Sequence, residues 1–350
     1  MSFFRSKAQR AAELLEQSLR LERRAKTYPE KYPSGWYRVA SVKELDRAAR
    51  RSQPIAAELL GRRFALFRDG TGNARAVDAY CPHLGADMSG GRVCEGQLEC
   101  PFHRWTFDGE GAVTKIPYLS EGRRLPTVRA QSHALLERDG LLLLWHGDEV
   151  PHYEVPAVPE HMVHRGDHDA GVVWMHLQEF AENSVDFQHF APLHGKMRLP
   201  WIGLPVPGLS IRHVARWEPS DAKPWEALFH DSAILEFFGR ELPGTGAKAT
   251  ITFHGPGSVV HFEFAIPKAG RIVMIQTHSP VTPMAQRVRF RWFAERRMPR
   301  WLVSYVVGNW VAQWREDISI WENKIFRDRP QLVRDDGPVH ALRRWYRQFR

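Results

Sequence analysis

Two short segments pair cysteine with histidine at spacings suited to a metal. Cys81-Pro82-His83 and Cys100-Pro101-Phe102-His103 each offer one thiolate and one imidazole, with residues 84–99 between them. Two thiolates and two imidazoles fit either a tetrahedral zinc ion or a [2Fe–2S] centre whose thiolates hold one iron and whose imidazoles hold the other. The local sequence favours the cluster. Both halves follow strand-like runs, DAY and LEC, whereas zinc pairs of the finger class sit in short knuckles followed by a helix. Pro82 and Pro101 stiffen the loops, and Gly85, Gly90 and Gly91 supply turns that let backbone N–H groups approach the sulfides. Neutral imidazole in place of thiolate leaves the cluster less negative and raises its reduction potential.

Such a cluster only moves electrons. A second constellation, E-N-S-V-D-F-Q-H-F-A-P-L-H-G at 182–195, could use them. Asn183, Asp186 and His189 are three apart and would share one face of a helix. His194 follows His189 by five, which an unbroken α-helix would place about 140° away. Pro192 disturbs the helix there and lets both imidazoles turn toward one metal. Two histidines and a carboxylate make the facial triad of oxygen-activating Fe(II), with positions left open. The leading third ligand is Asp317, in the helical run N-W-V-A-Q-W-R-E-D-I-S-I-W-E-N-K. A carboxylate among Trp314, Ile320 and Trp321 is costly to bury unless it is paired or holds a metal. Its neighbour Glu316 is expected to face solvent, and Glu179 and Glu182 are rival ligands. His152, His161, His164 and His168 match no common metal spacing, and His254 and His261 read as surface or pocket positions.

These residues need elements to position them. Residues 8–26 favour a helix with a loose stripe of Leu14, Leu15, Leu19 and Leu21, expected to pack on the body. Residues 36–150 read as short strands separated by Gly, Asp and Asn turns, a small all-β domain in which Cys94 is a minor loop hydrophobe. A Pro- and His-rich connector at 151–165 precedes a helical stretch at 172–195. Strands return from about 210 to 295. A long helix is expected over 298–326, after Pro299, and a short one over 338–349. The expected domains are an N-terminal helical extension at 1–35, a cluster domain at 36–150 and a catalytic domain at 151–350.

Composition limits the rest. A chain of 350 residues with 43% hydrophobic content can build two cores. Three cysteines argue against a disulfide framework and point to a cytoplasmic, soluble protein, with peripheral membrane attachment as an option. No run of 18 apolar residues is present, and the first residues lack a signal-peptide core. The net charge of +9 is spread among acidic residues, which argues against nucleic acid. It allows docking of an acidic electron-transfer protein, with a plain solvated surface as the default. No G-x-G-x-x-G fingerprint or flavin motif occurs, so electrons from NAD(P)H must arrive through a separate flavin/iron–sulfur reductase, directly or by way of a ferredoxin.

The segments CPHLG at 81–85 and CPFH at 100–103 resemble the signature of the Rieske family. Ala86 and Phe102 stand where the respiratory members carry an extra cysteine pair, so the chain is similar to the oxygenase type. The likeness extends to YPSGWYRVA near 32–40, IWENKIF at 320–326 and DDGPVHALRRWYRQF at 335–349. These resemble the sterol 7-desaturases and the 3-ketosteroid 9α-hydroxylases. The resemblance implies an α+β fold, in which an all-β Rieske domain joins a catalytic domain with an antiparallel sheet and surrounding helices of the helix-grip type. It implies Cys81, His83, Cys100 and His103 as ligands of the [2Fe–2S] cluster, with His189, His194 and Asp317 on a mononuclear Fe(II). It further implies Asp186 as a bridge from His189 to His103 of the partner subunit in a homotrimer. Asn183 is read either as tuning the iron through hydrogen bonding or as satisfying backbone groups. The expected reaction uses O2 to desaturate a sterol at C7–C8 or to hydroxylate a steroid ring. Aromatic-ring oxygenation and a non-enzymatic electron carrier are the alternatives. Animal sterol desaturases commonly begin with a membrane-spanning segment, which this sequence does not display.

Overall fold

The computed structural model describes residues 7–350; residues 1–6, which bear on the signal-peptide reading, lie outside the described residues, as does the Leu14 side chain. The chain divides into two compact units. One comprises residues 34–159 together with 277–282. The other comprises the N-terminal residues to Pro33, residues 160–276 and residues 283–350.

The first unit is built from short antiparallel strands. Arg62–Arg68 is paired on one side with Ile55–Leu59 and on the other with Ala74–Asp78. A second small sheet runs through Arg92–Cys94, Gln97–Glu99, Thr106–Phe107 and Val113–Lys115. A third joins Gly35–Ser41, Leu141–His146 and Leu135–Arg138. Alternation explains the core: Ala65, Phe67 and Val77 from one sheet meet Leu98, Phe107 and Val113 from another. One helix, Val42–Ala49, interrupts the strands. Its Ser41 and Glu44 form a reciprocal capping box, a start signal present in the sequence that the all-strand reading passed over.

The second unit centres on one large antiparallel sheet of nine strands among the described residues. From one edge its order is Met162–Val173, Ala285–Glu295, Gly270–Thr282, Val259–Ile266, Ala247–His254, Glu226–Phe237, Pro205–Pro219 and Lys196–Arg198, with Arg240–Glu241 beside Glu226–Phe237. The helix Arg300–Trp321 starts after Pro299 and lies on this sheet. Val303, Val307, Val311, Trp314 and Trp321 form its buried stripe at helical spacing. The Trp310 ring lies 4.7 Å from Phe262 and the Trp314 ring 5.3 Å from Phe290.

The expected helix over 172–195 is much shorter. Residues 162–173 pair with Ala285–Glu295 as a strand, so sheet hydrogen bonding takes the end of the connector and the start of the presumed helix. Only Leu177–Asn183 is α-helical, its first turn capped by the His176 side chain. Of the N-terminal helix Lys7–Ala25, Leu21 and Ala25 pack with Tyr28, Met284 and Phe326, whereas Leu15 and Leu19 are exposed.

Candidate functional site

The two Cys/His loops close in the same way. The Cys81 N–H donates to the Ala86 carbonyl and the Gly85 N–H to the Cys81 carbonyl. Likewise, the Cys100 N–H donates to the Trp105 carbonyl and the Arg104 N–H to the Cys100 carbonyl. Gly85 and Arg104 occupy the equivalent left-handed position, at φ 74° and 59°. The histidine comes two residues after cysteine in one loop and three in the other. Gly91 is needed for a different reason, since a Cβ there would lie 2.0 Å from the Glu99 carbonyl oxygen.

Cys81 and Cys100 are buried as free thiols. Burial pushes the Cys81 thiol up to about 11, and Cys100 beside it adds to the rise. The His83 and His103 rings are 4.8 Å apart, with His83 stacked on Trp105. Two adjacent buried thiols and two neighbouring imidazoles form a donor set that a cationic iron–sulfur centre satisfies. Around it, Tyr80, Leu84, Phe102 and Tyr118 are exposed.

The second site is deeper. His189 closes a short 3₁₀ turn, Phe187–His189, and His194 ends a π-helical turn, Phe190–His194. A π turn spans five residues, which resolves the angular mismatch that an α-helix would impose on the two histidines. Asn183, Asp186 and His189 therefore do not share one helix face: Asn183 ends the α-helix, and Asp186 lies in the turn between elements. Gly195 lets the chain leave, since a Cβ there would meet the Ala191 carbonyl oxygen at 2.4 Å.

Asp317 falls in the buried stripe of the long helix, where an apolar residue would be expected. Ligand atoms of His189, His194 and Asp317 all lie within 4.8 Å of one another. His194 Nε2 is 3.1 Å and His189 Nε2 is 4.0 Å from Asp317 Oδ1, a buried oxygen with no satisfied hydrogen bond. The Asn183 amide reaches His189 Nε2 at 3.2 Å and Asp317 Oδ2 at 3.3 Å, meeting both acceptors as a cation would. This donor set fits a mononuclear iron. Glu179 and Glu182 are committed elsewhere: Glu179 contacts Tyr28 and Lys324, and Glu182 takes a bidentate pair from Arg343.

The outer nitrogens are also held. His189 Nδ1–H donates to the Asp186 backbone carbonyl, which presents Nε2 inward. The Asp186 carboxylate itself is 4.0 Å from His189 Nδ1 and 55% exposed. His194 Nδ1 lies 3.6 Å from Glu316 Oε2, and Arg198 pairs with the same Glu316. Glu316 was expected to face solvent. It instead turns inward because Arg198 neutralises it, and no spacing rule in the sequence links residues so far apart. Burial lowers His189. Burial also acts to lower His194, but Asp317 and Glu316 outweigh it and leave His194 raised. Gly337 braces the turn from the C-terminal segment, where a Cβ would lie 1.5 Å from the Val185 carbonyl oxygen.

A small chamber of about 60 Å³ adjoins the triad, walled by Phe180, Phe190, Phe253, Phe262 and Trp314. Beside it lies a cavity of about 250 Å³ lined by Ile211, Leu235, Phe264, Ile266, Leu302 and Val306. His213, Trp310 and Gln313 border both. His254 and His261, expected at surface or pocket positions, are buried, with His254 paired to Glu226 at 3.0 Å. Among the described residues, no helix is long and apolar enough to cross a membrane.

Comparison with known proteins agrees with this geometry. Residues 35–132 match the Rieske [2Fe–2S] domain, and residues 144–350 match the 3-ketosteroid 9α-hydroxylase C-terminal domain. The chain is 33% identical to the cholesterol 7-desaturase of Caenorhabditis elegans, over 95% of this chain and 80% of that protein. It is 28% identical to the oxygenase component of a probable 3-ketosteroid-9-alpha-monooxygenase of Rhodococcus rhodochrous, over 92% and 81%. In fold it is similar to Pseudomonas putida NdmA, a mutant solved with caffeine, with a TM-score of 0.65 at 20% identity over 89% of each chain. With a [2Fe–2S] domain, a separate mononuclear iron site and these relatives, the chain belongs to the Rieske oxygenases related to the sterol 7-desaturases and 3-ketosteroid 9α-hydroxylases.

Proposed function

We propose that this chain desaturates the C7–C8 bond of a sterol such as cholesterol, with O2 and two electrons from an NAD(P)H-dependent flavin/iron–sulfur reductase, directly or through a ferredoxin. The observation that carries this reading is an apolar cavity bordering the chamber of the triad, in a chain with cholesterol 7-desaturases among its relatives. The reaction balances when the sterol gives up two hydrogens and O2, with two electrons and two protons, becomes two waters.

In this reading Cys81, His83, Cys100 and His103 hold the cluster, and His189, His194 and Asp317 hold Fe(II), which when bound supplies oxygen activation. The remaining residues set the conditions. The Asp186 carbonyl fixes the His189 tautomer, and Glu316 with Arg198 orients His194. Asn183 holds the carboxylate of Asp317. The aromatic walls of the chamber exclude water from the reacting carbon. Asp186 bridges His189 to His103 of the partner subunit in a head-to-tail homotrimer, holding His189 through its backbone carbonyl and offering its exposed carboxylate to the partner's His103, a heterologous contact that must close into a ring. The corresponding division is an extension at 1–35, a Rieske domain at 36–150 and a catalytic domain at 151–350, acting in the cytoplasm.

Hydroxylation of a steroid ring is the second reading, favoured by the match of residues 144–350 to the 3-ketosteroid hydroxylase domain. Incubation with cholesterol and with a 3-ketosteroid, under O2 with a reductase, separates the two. Loss of two hydrogens from cholesterol supports desaturation, gain of one oxygen supports hydroxylation, and turnover of only a small aromatic acid overturns both.

A further inference from the structure

His213 and Asp231 form a buried polar pair in an otherwise apolar wall. They are diagonal neighbours on adjacent strands, Pro205–Pro219 and Glu226–Phe237, where His213 is opposite Ala233 and Asp231 opposite Ala215, and His213 Nδ1 lies 2.8 Å from Asp231 Oδ2. Their side chains are only 5% and 6% exposed. His213 stacks on Phe190, which in turn stacks on the ligand His189. His213 borders both the triad chamber and the larger cavity, and Asp231 borders the larger cavity. His213 Nε2 has no protein hydrogen-bond partner. A buried polar atom left in this way costs stability, which argues for a role beyond packing.

The chemistry of the pair is specific. A carboxylate that accepts from Nδ1–H leaves Nε2 of the neutral ring as an acceptor. The other polar groups at the junction differ. Gln313 and Asn309 are engaged, with Gln313 donating to Asn309 and Asn309 donating to the Arg198 carbonyl. Trp310 Nε1 is unpaired too, but an indole N–H can only donate. The wall therefore offers His213 Nε2 at the junction of the two spaces, an acceptor held in place by a buried carboxylate whose own Oδ1 is the other unpaired acceptor of the larger cavity.

We propose that His213, oriented by Asp231, is the anchor for a substrate hydroxyl, accepting its hydrogen at Nε2 while the apolar body fills the cavity. The proposal rests on the sterol reading, since a sterol carries one hydroxyl on a four-ring hydrocarbon. His213 selects and registers the substrate and takes no part in the oxidation itself.

The test is anaerobic equilibrium binding to the holoenzyme of cholesterol, its 3-ketone counterpart and its 3-deoxy counterpart. The wild type should prefer cholesterol over both by about tenfold, the scale of one buried neutral hydrogen bond. His213→Phe keeps a ring and should erase the preference while still binding the deoxy compound. His213→Gln, which retains an acceptor, should restore part of it. Matched cluster and iron contents show that the variants are folded. If the wild type binds cholesterol and its deoxy counterpart equally, or His213→Phe retains the preference, the anchor is overturned and the sterol reading stands. If the wild type binds none of the three, both fall.

Discussion

The two metal sites of this chain are assembled in opposite ways. The cluster site comes from two hairpin loops within residues 81–103, closed by local backbone hydrogen bonds and bordered by exposed apolar tips. The triad joins residues 189 and 194 to residue 317, all three packed among buried aromatic side chains. One site needs its own loops; the other needs the whole of its unit. An electron-transfer centre must be approached by partners, whereas an oxygen-activating centre must be shielded from water, and the two constructions match those demands.

If the sites are built independently, they should fail independently. Asp317→Ala should abolish turnover and lose the mononuclear iron while the cluster's visible absorption and acid-labile sulfide persist. Cys100→Ser should do the reverse, losing sulfide and keeping the single iron. Retention of stoichiometric mononuclear iron in Asp317→Ala would make Glu316, already beside His194, the carboxylate to test next.

The proposed bridge sharpens the contrast, because Asp186 would serve both sites and belong to neither. Asp186→Asn keeps the backbone carbonyl that orients His189 but removes the charge. Cluster and iron occupancies should match the wild type while single-turnover product falls at least about tenfold, the lower end of effects at such positions. An unchanged yield returns Asp186 to the role of a surface carboxylate.

A smaller effect is expected from the outer support of the triad alone. Glu316→Gln should weaken iron binding by about 10–100-fold in competitive chelation, with no change in the cluster. Equal loss from both sites would mean that the protein had unfolded generally.

The smallest effect concerns pH. Burial holds His176 and His278 down to about 3, against an ordinary value of 6.5. The unfolded chain then binds more protons than the folded one between these values, so stability is full above about pH 6.5 and declines as pH falls toward 3. Melting temperature measured from pH 7.5 down to 5 should fall. His176→Asn, which keeps a capping acceptor for the Gln178 N–H, should flatten that slope.

The cluster loops were legible because their information is local: ligand, proline and glycine types recur within a few residues. The helix bearing Asp317 was legible because a carboxylate interrupts an apolar stripe. The π turn was not, since its five-residue ring depends on where Phe190 and His194 pack rather than on any residue preference. Glu316 was misplaced for a similar reason. Its inward orientation needs Arg198, which the fold brings in from an edge strand. The strand at Met162–Val173 was hidden because its half-buried or exposed His, Arg and Asp residues weaken the apolar alternation, and pairing with Ala285–Glu295 decides its conformation.

Gly337 has a consequence for how this enzyme would score in a mutational scan. It carries no donor atom, yet any side chain there must displace the carbonyl of Val185, directly ahead of the turn that sets Asp186 and His189. Its tolerance profile should therefore look like that of a ligand, with even alanine rejected, and a search for iron-binding positions by mutational sensitivity alone would count one residue too many.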